Sequence, residues 1–162
     1  SNGDKNSVEK MIQTEENLNL NHIQGERKDS PLIIASRNGH LEIVKILMND
    51  NRVDINLRNR GGGTAFYIAC QEGRVEVVKL LMSDTRVDVN KAKDSGTTPF
   101  YIACQNGHVE VVRLLMSDKR VDINKANNNG ATPFSIACQG GRFEVVRLLM
   151  SDTKVDVNKV NN

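Results

Sequence analysis

Apolar residues in the middle of the chain recur at the spacing of two short amphipathic helices separated by a glycine. Positions 109–116 place apolar side chains three or four residues apart, which aligns them on one face of an α-helix. Those residues are Val109, Val112, Leu115 and Met116, with Val111 and Leu114 widening the face. A shorter apolar group at 100–104 precedes Gly107, and glycine accepts the left-handed conformation in which many helices end. The pattern predicts a helix, a tight turn and a second helix from about residue 108 to residue 117.

Polar residues mark the start of this pair of helices and the loop after it. Thr98 is followed by Pro99, which predicts a capped helix start with proline in the first turn, where its missing N–H costs nothing. After the second helix, residues 121–124 alternate apolar and polar side chains, and residues 128–130 read Asn-Asn-Gly, which is typical of a turn. We therefore expect an extended, hairpin-like loop after each pair of helices.

The whole pattern recurs every 34 residues. The residue that caps the first helix is threonine in three copies and serine in another, at Ser30, Thr64, Thr98 and Thr132. Residues 64–97 and 98–131 are identical at 24 of 34 positions, so the repetition is not a coincidence. The predicted units are 30–63, 64–97, 98–131 and 132–162.

The units are predicted to stack on one another. Helices of about 10–12 residues or fewer are marginal in water when isolated, and neither helix of a unit can bury its apolar side alone. Packing against the next unit would remove Ile102, Leu114 and their equivalents from solvent. The sequence therefore favours a repeat solenoid over a single closed core.

The repeated motif resembles the ankyrin-repeat signature. The residues that carry the resemblance are Thr98-Pro99, Ala103, Gly107-His108, Val111-Val112, Leu114-Leu115 and Val121-Asp122-Ile123-Asn124. It covers residues 30–162 as four units, and residues 1–29 read as a degenerate leading half-repeat or cap, with an outer helix at Val8, Met11 and Ile12. The resemblance implies an all-α solenoid of helix-turn-helix units joined by β-hairpin-like loops, with a concave groove. It also implies protein–protein binding as the activity.

The chain departs from the family pattern in three ways. The period is 34 where the family value is about 33, and the extra residue falls in the link at 117–120. The histidine that the family carries after Thr-Pro-Leu is replaced by Ile33, Tyr67, Tyr101 and Ser135, so the hydrogen bond that it makes to the neighbouring hairpin is in question. The last unit keeps Phe143, Val146 and Leu149 without an evident polar cap, so we expect the chain to be a piece of a longer array.

Composition narrows the class of function. The 22 basic and 20 acidic residues leave a formal charge of +2, which gives no general reason to expect a nucleic acid or an anionic membrane as partner. No stretch approaches the ~18 apolar residues of a membrane span, and the first thirty residues contain no signal-peptide core. Three cysteines in apolar surroundings favour reduced thiols. We expect an intracellular, cytoplasmic protein that is a monomer.

Cysteine and histidine are residue types found in metal and catalytic sites, but their placement here argues against such a site. Cys70, Cys104 and Cys138 share one repeat position, and stacked helices lie about 8–10 Å apart, too far for a disulfide or a shared zinc ion. They are predicted to be buried fillers. His40 and His108 alternate with arginine at the start of the second helix, which a catalytic base would not do. We therefore predict no enzyme activity, no metal and no cofactor.

Two further patterns have plain structural interpretations. Residues 61–63, three glycines, are predicted to form a flexible hairpin tip. A column of cations recurs two residues after a column of aspartates, and we interpret the two columns as a self-neutralising ladder. The columns are Arg52, Arg86, Arg120 and Lys154, and Asp50, Asp84, Asp118 and Asp152.

Candidate binding residues are those that vary where the rest of the unit repeats. Tyr101 and Gln105 lie four apart on the first helix, and the hairpin tips differ most among the units. In the resembled family these tips and this helix face line the groove, and two surface tyrosines among Gln, Asn and charged residues would suit a protein partner. The predicted partner-binding residues are Arg37, Asn38, Arg58, Arg60, Tyr67, Gln71, Glu72, Asp94, Ser95, Thr97, Tyr101, Gln105, Asn106, Asn128, Asn129, Ser135 and Gln139. Drift of solvated residues after duplication is the alternative explanation.

The leading function is a scaffold that binds another protein through the groove. A nucleic-acid binder, motivated by Arg37, Arg58 and Arg60, is disfavoured because residues 31–64 carry five basic and three acidic residues, a net charge of only +2. The array could also be a regulatory or spacer arm of a larger protein whose active part lies outside these residues.

Overall fold

The computed structural model describes residues 19–23 and 25–158, and within them it contains eight α-helices and no β-strand. The helices are α1 (Pro31–Asn38), α2 (Leu41–Asn49), α3 (Ala65–Gln71), α4 (Val75–Met82), α5 (Pro99–Asn106), α6 (Val109–Met116), α7 (Pro133–Gln139) and α8 (Phe143–Met150). The predicted all-α class is therefore confirmed. The outer helix predicted at Val8, Met11 and Ile12 lies outside the described residues.

Each first helix begins at the predicted cap. The cap hydroxyl accepts a hydrogen bond from the backbone N–H three residues on, at 3.4 Å for Ser30, 3.2 Å for Thr64, 3.0 Å for Thr98 and 3.1 Å for Thr132. In α1, α5 and α7 a proline occupies the first turn. These local bonds fix the direction of each first helix before any stacking occurs.

The helix pairs stack in chain order, and the first helices pack more closely than the second ones. Helices α1, α3, α5 and α7 contact their neighbours more extensively than α2, α4, α6 and α8 do. The core runs through the stack as a column, in which Phe66, Phe100, Val78 and Val112 are almost fully buried. The closer packing makes the side formed by the first helices the inner side of the stack.

The predicted stacking residues need one correction. Ile102 and Leu114 are only half-buried. Leu115 is fully buried instead, because it lies on the face of α6 that turns toward α5, as its equivalents Leu81 and Leu149 do on their helices. The broad apolar face of the second helix did not show which leucine points inward.

The residue that opens the second helix ties one unit to the one before it. His108 donates from Nε2 to the backbone oxygen of Gln71 at 2.8 Å, and Arg142 Nε makes the same bond to Gln105 at 2.8 Å. The side chain crosses Gly73, where φ is +66° and a Cβ would lie 2.7 Å from His108 Nδ1. Histidine alternates with arginine at this position because both supply an N–H to the preceding unit.

An asparagine in each loop makes a second tie between units. Asn56 Nδ2 donates to the backbone oxygen of Arg86 at 2.8 Å, and its Oδ1 accepts from the backbone N–H of Asp88 at 2.9 Å. The same pair of bonds is made three more times, at Asn21, Asn90 and Asn124. Asn21 thus plays the same part as its equivalents, although it precedes the first helix pair.

The predicted ladder of acidic and basic residues is present in three of the four units, without an ion pair in the last described unit, and it also joins the units. Asp84 forms an ion pair with Arg86 at 2.6 Å, and the Arg86 guanidinium holds the pKa of that carboxyl below its usual value. Arg86 Nη2 also donates to the backbone oxygen of Met48 at the end of α2, at 2.7 Å. The added residue of the 34-residue period therefore lies in a link whose arginine satisfies the last carbonyls of the preceding unit.

The three-glycine hairpin, predicted to be flexible, carries a set of hydrogen bonds. The backbone N–H of Asn59 donates to Gly63 O at 3.0 Å, and the N–H of Gly62 donates to Asn59 O at 2.9 Å. Asn59 Oδ1 accepts from Gly61 and Gly63 as well. Only the middle glycine has a positive φ, +77°, and this is the conformation that the turn requires.

The cysteines that share one repeat position differ in burial. Cys70 and Cys104 are buried, and burial raises the pKa of both thiols. Cys138 is exposed, which corrects the prediction that all three are buried, because no described unit covers the far side of α7. In the first unit this position holds Ser36, whose fully buried Oγ has no hydrogen-bond partner among the described residues.

Replacing Ser36 with cysteine should stabilise the protein. A buried hydroxyl without a partner costs ~1–3 kcal/mol, and Ser and Cys have similar helix propensities, so Ser36→Cys isolates the effect of the hydroxyl. We expect the free energy of unfolding in urea to rise by about 1 kcal/mol. Cys70→Ser is the reciprocal control and should lower it by a similar amount. A Ser36→Cys variant that is less stable than the parent would contradict the assignment.

The three thiols should differ in reactivity toward a disulfide reagent at pH 8. The thiolate is the nucleophile, so burial and a raised pKa protect Cys70 and Cys104, and we expect them to react at least about a hundredfold more slowly than Cys138. Cys138→Ser should remove the fast phase, and urea should make the remaining thiols reactive. Three equal rates in the native protein would show that all three thiols are open to solvent.

Candidate functional site

The hairpin tips and the first helices form the inner side of the stack and hold the predicted binding residues. We call this inner side the groove face. Near the first two units it holds a cavity of about 530 Å³, which we name the basic depression. Its lining residues are Glu26, Arg27, Arg37, Asn59, Arg60, Gly61, Ile68, Gln71, Glu72 and Lys93. No residue of a second helix lines it.

The two tyrosines do not lie on this surface, so their prediction as exposed binding residues is wrong. Tyr67 is 2 % exposed and Tyr101 is 3 % exposed. Each hydroxyl reaches the next hairpin instead: that of Tyr67 lies 3.3 Å from Thr97 Oγ1, and that of Tyr101 accepts from Asn127 Nδ2 at 3.2 Å. Tyrosine therefore supplies the bond between helix and hairpin that the missing histidine had put in question.

Arg37 lies in the basic depression but is already engaged. Its Nη2 donates to Asp29 Oδ2 at 2.8 Å, and Asp29 also accepts from Asn59 Nδ2 at 2.6 Å. Glu72 approaches the other side of the guanidinium at 3.7 Å and accepts from Gln71 Nε2 at 3.0 Å. This network joins the leading segment to the first two units, so Arg37 and Glu72 shape the depression more than they offer free charge.

Other predicted residues are used to hold the hairpins together. Arg58 forms an ion pair with Asp94 and donates to Gly62 O at 3.0 Å. Ser95 and Thr97 lie 2.9 Å apart through their hydroxyls. Asn128 Nδ2 donates to Asp94 O at 2.8 Å. The bonds of Arg58 and Asn128 to Asp94 connect successive tips, whereas the Ser95–Thr97 pair lies within one tip.

Polar side chains in the later units fall into two groups. Asn106 Nδ2 donates to Gln71 O at 2.8 Å, and Ser135 completes the cap of α7 with Thr132. Gln105, Asn129 and Gln139 make no side-chain hydrogen bond within the described part of the chain, and the last two are exposed. Asn38 is exposed at the end of α1. The second group can therefore bond to another molecule without loss to the fold.

Six lining residues were not among those predicted, namely Glu26, Arg27, Asn59, Gly61, Ile68 and Lys93. Ile68 forms part of the depression wall. Because an isoleucine recurs at this position in every unit, the sequence suggested a core residue there. Lys93 Nζ lies 4.5 Å from the centre of the Tyr67 ring. The available signal was that Lys93 replaces an asparagine present at Asn59 and Asn127.

The described residues contain no group of three or more His, Cys, Asp or Glu side chains placed to hold a metal ion. None of the eight helices is long and apolar enough to cross a membrane. The features that the groove face does offer are charged side chains, free amides and a fixed outline. These features can bind a complementary surface.

Comparison with known families agrees with this geometry. A family model described as ankyrin repeats, three copies, matches residues 1–93 and 85–161. No curated protein matches the chain. The matched residues include all eight helices and the ties between units. The chain therefore belongs to the ankyrin-repeat family.

Proposed function

We propose that the protein is a scaffold that binds another protein through its groove face. Ankyrin repeats are generally protein–protein interaction modules, and the family is typically non-catalytic. The observation that carries the proposal is the contrast between two sets of polar side chains. Polar side chains at the junctions between units form hydrogen bonds to the neighbouring unit. The side chains of Gln105, Asn129 and Gln139 form no hydrogen bond within the described residues.

The chemistry of this face suits a protein surface. Amides can donate and accept, so the free glutamines and asparagine can pair with an exposed peptide backbone or with polar side chains. Their neighbours are held by the hairpin bonds, so little conformational entropy would be lost on binding. A pre-formed polar face with fixed outline is the kind of surface that recognises a folded or extended partner.

A regulatory or spacer arm of a larger protein is the alternative. It is favoured by α8, in which Phe143 is 71 % exposed and Met150 is 67 % exposed, whereas their equivalents Val109 and Met116 are half-buried against the next unit. Such an arm would pack through this end and would need no partner on the groove face.

The groove proposal is tested by removing the free amides. A triple variant, Gln105→Ala, Asn129→Ala and Gln139→Ala, should weaken capture of the partner at least tenfold, which corresponds to about 1.4 kcal/mol. The partner is first identified among the proteins that the unmodified protein captures from a cell extract. Its affinity for each purified variant is then measured. The thermal midpoint should stay within about 2 °C of the parent, since these side chains hold no part of the fold.

The matched control is Glu110→Ala, Arg113→Ala and Arg147→Ala, which truncates three exposed side chains on the second helices. It should leave the affinity unchanged. Equal affinity for both triple variants and the parent would place the binding surface elsewhere.

A further inference from the structure

Charge is distributed unevenly along the groove face. Four cations and two carboxylates line the basic depression, namely Arg27, Arg37, Arg60 and Lys93 with Glu26 and Glu72. In the later units the positions equivalent to Arg37 and Lys93 carry Gln105, Gln139 and Asn127, which are uncharged. One end of the groove face is therefore cationic and the other is a run of amides.

Three of the cations have no carboxylate partner among the described residues. Arg37 is neutralised by Asp29, with Glu72 further off. Arg27, Arg60 and Lys93 form no ion pair there. Both arginines are exposed, so their guanidinium groups are open to an incoming anion.

Lys93 is held in a position that suits a ligand. Its methylene chain runs beside Gly63, since a Cβ on that glycine would be 3.4 Å from Lys93 Cε. Its ammonium faces the Tyr67 ring. Burial, and then the charge of Arg37, lower the pKa of Lys93. A carboxylate entering the depression would therefore relieve the repulsion between Lys93 and Arg37.

We infer that the basic depression takes the acidic side chains of an extended segment of the partner, whose neighbouring residues lie on the uncharged amides of the later units. The inference rests on the proposed function and adds the chemistry of the partner and the direction of its charge. The depression opens toward exposed Arg60 and Gly61 at its rim, so it can receive a segment that continues along the groove face.

The probe is a fluorescein-labelled peptide of alternating glutamate and serine, eight residues long, compared with the same peptide carrying glutamine for glutamate. Anisotropy should show at least tenfold tighter binding of the glutamate peptide at low salt, with an affinity that falls as salt rises. Amide chemical shifts should move around Gly61 and Gln71.

The test variant is Arg60→Asn with Lys93→Asn, which copies the residues found in the third unit at Asn128 and Asn127, so the hairpins should fold as before. It should remove the preference for glutamate. Arg113→Gln with Arg147→Gln lowers the net charge equally on the second helices and should keep the preference. No preference in the parent, or an equal loss in both variants, would overturn the inference.

Two further outcomes separate this inference from the proposed function. If partner capture survives Arg60→Asn with Lys93→Asn but is lost in the triple amide variant, the groove binds a partner that is not acidic and the inference fails alone. If capture survives every groove variant, the proposed function fails as well. Single-stranded DNA of equal charge is a further probe. If it binds more tightly than the glutamate peptide, and if Arg60→Asn with Lys93→Asn removes this binding, the inference is overturned in favour of a nucleic acid.

Discussion

Every unit of this protein depends on its neighbour for both burial and hydrogen bonding. The helices are too short to be stable alone, and the side chains that would satisfy a unit's exposed carbonyls belong to the next unit. His108, Arg86 and the asparagine in each loop all make bonds across the junction between units. Stability is therefore a property of the contacts between units, and a side chain engaged in those contacts is not available to a partner.

That constraint explains which parts of the structure could be predicted from the sequence. The caps at Thr98 and its equivalents, the glycine turn and the paired helices are local features, and capping residues, glycine and apolar spacing predicted them. The choice between Leu114 and Leu115 depends on the rotation of α6 against its neighbours, which a broad apolar face does not reveal. The three glycines alone suggested a flexible tip, and the sequence did not show that the Asn59 side chain accepts from two of their backbone N–H groups.

The candidate site was predicted less well, for a related reason. Variation among units was used as the signal, and Tyr67 and Tyr101 vary in the same way as Gln71 does. In the structure each tyrosine bonds to the hairpin of its own unit, and the glutamine lines the basic depression. Sequence variation cannot separate a residue that fits a helix to its own hairpin from a residue that adapts the surface to a ligand. Lys93 lines the basic depression but was not predicted. The only sign of it in the sequence was that lysine replaces the asparagine found at the equivalent position of two other units.

At each junction a histidine or an arginine crosses the glycine turn of the preceding unit and donates to a backbone oxygen there. This contact limits how such a chain can change in length. Because the donor and acceptor are the same at each junction, gain or loss of a whole 34-residue segment would bring together surfaces that already match. A change of any other length would set the donor against the wrong carbonyl. The gene can therefore lengthen or shorten by recombination between copies while the protein keeps its junctions.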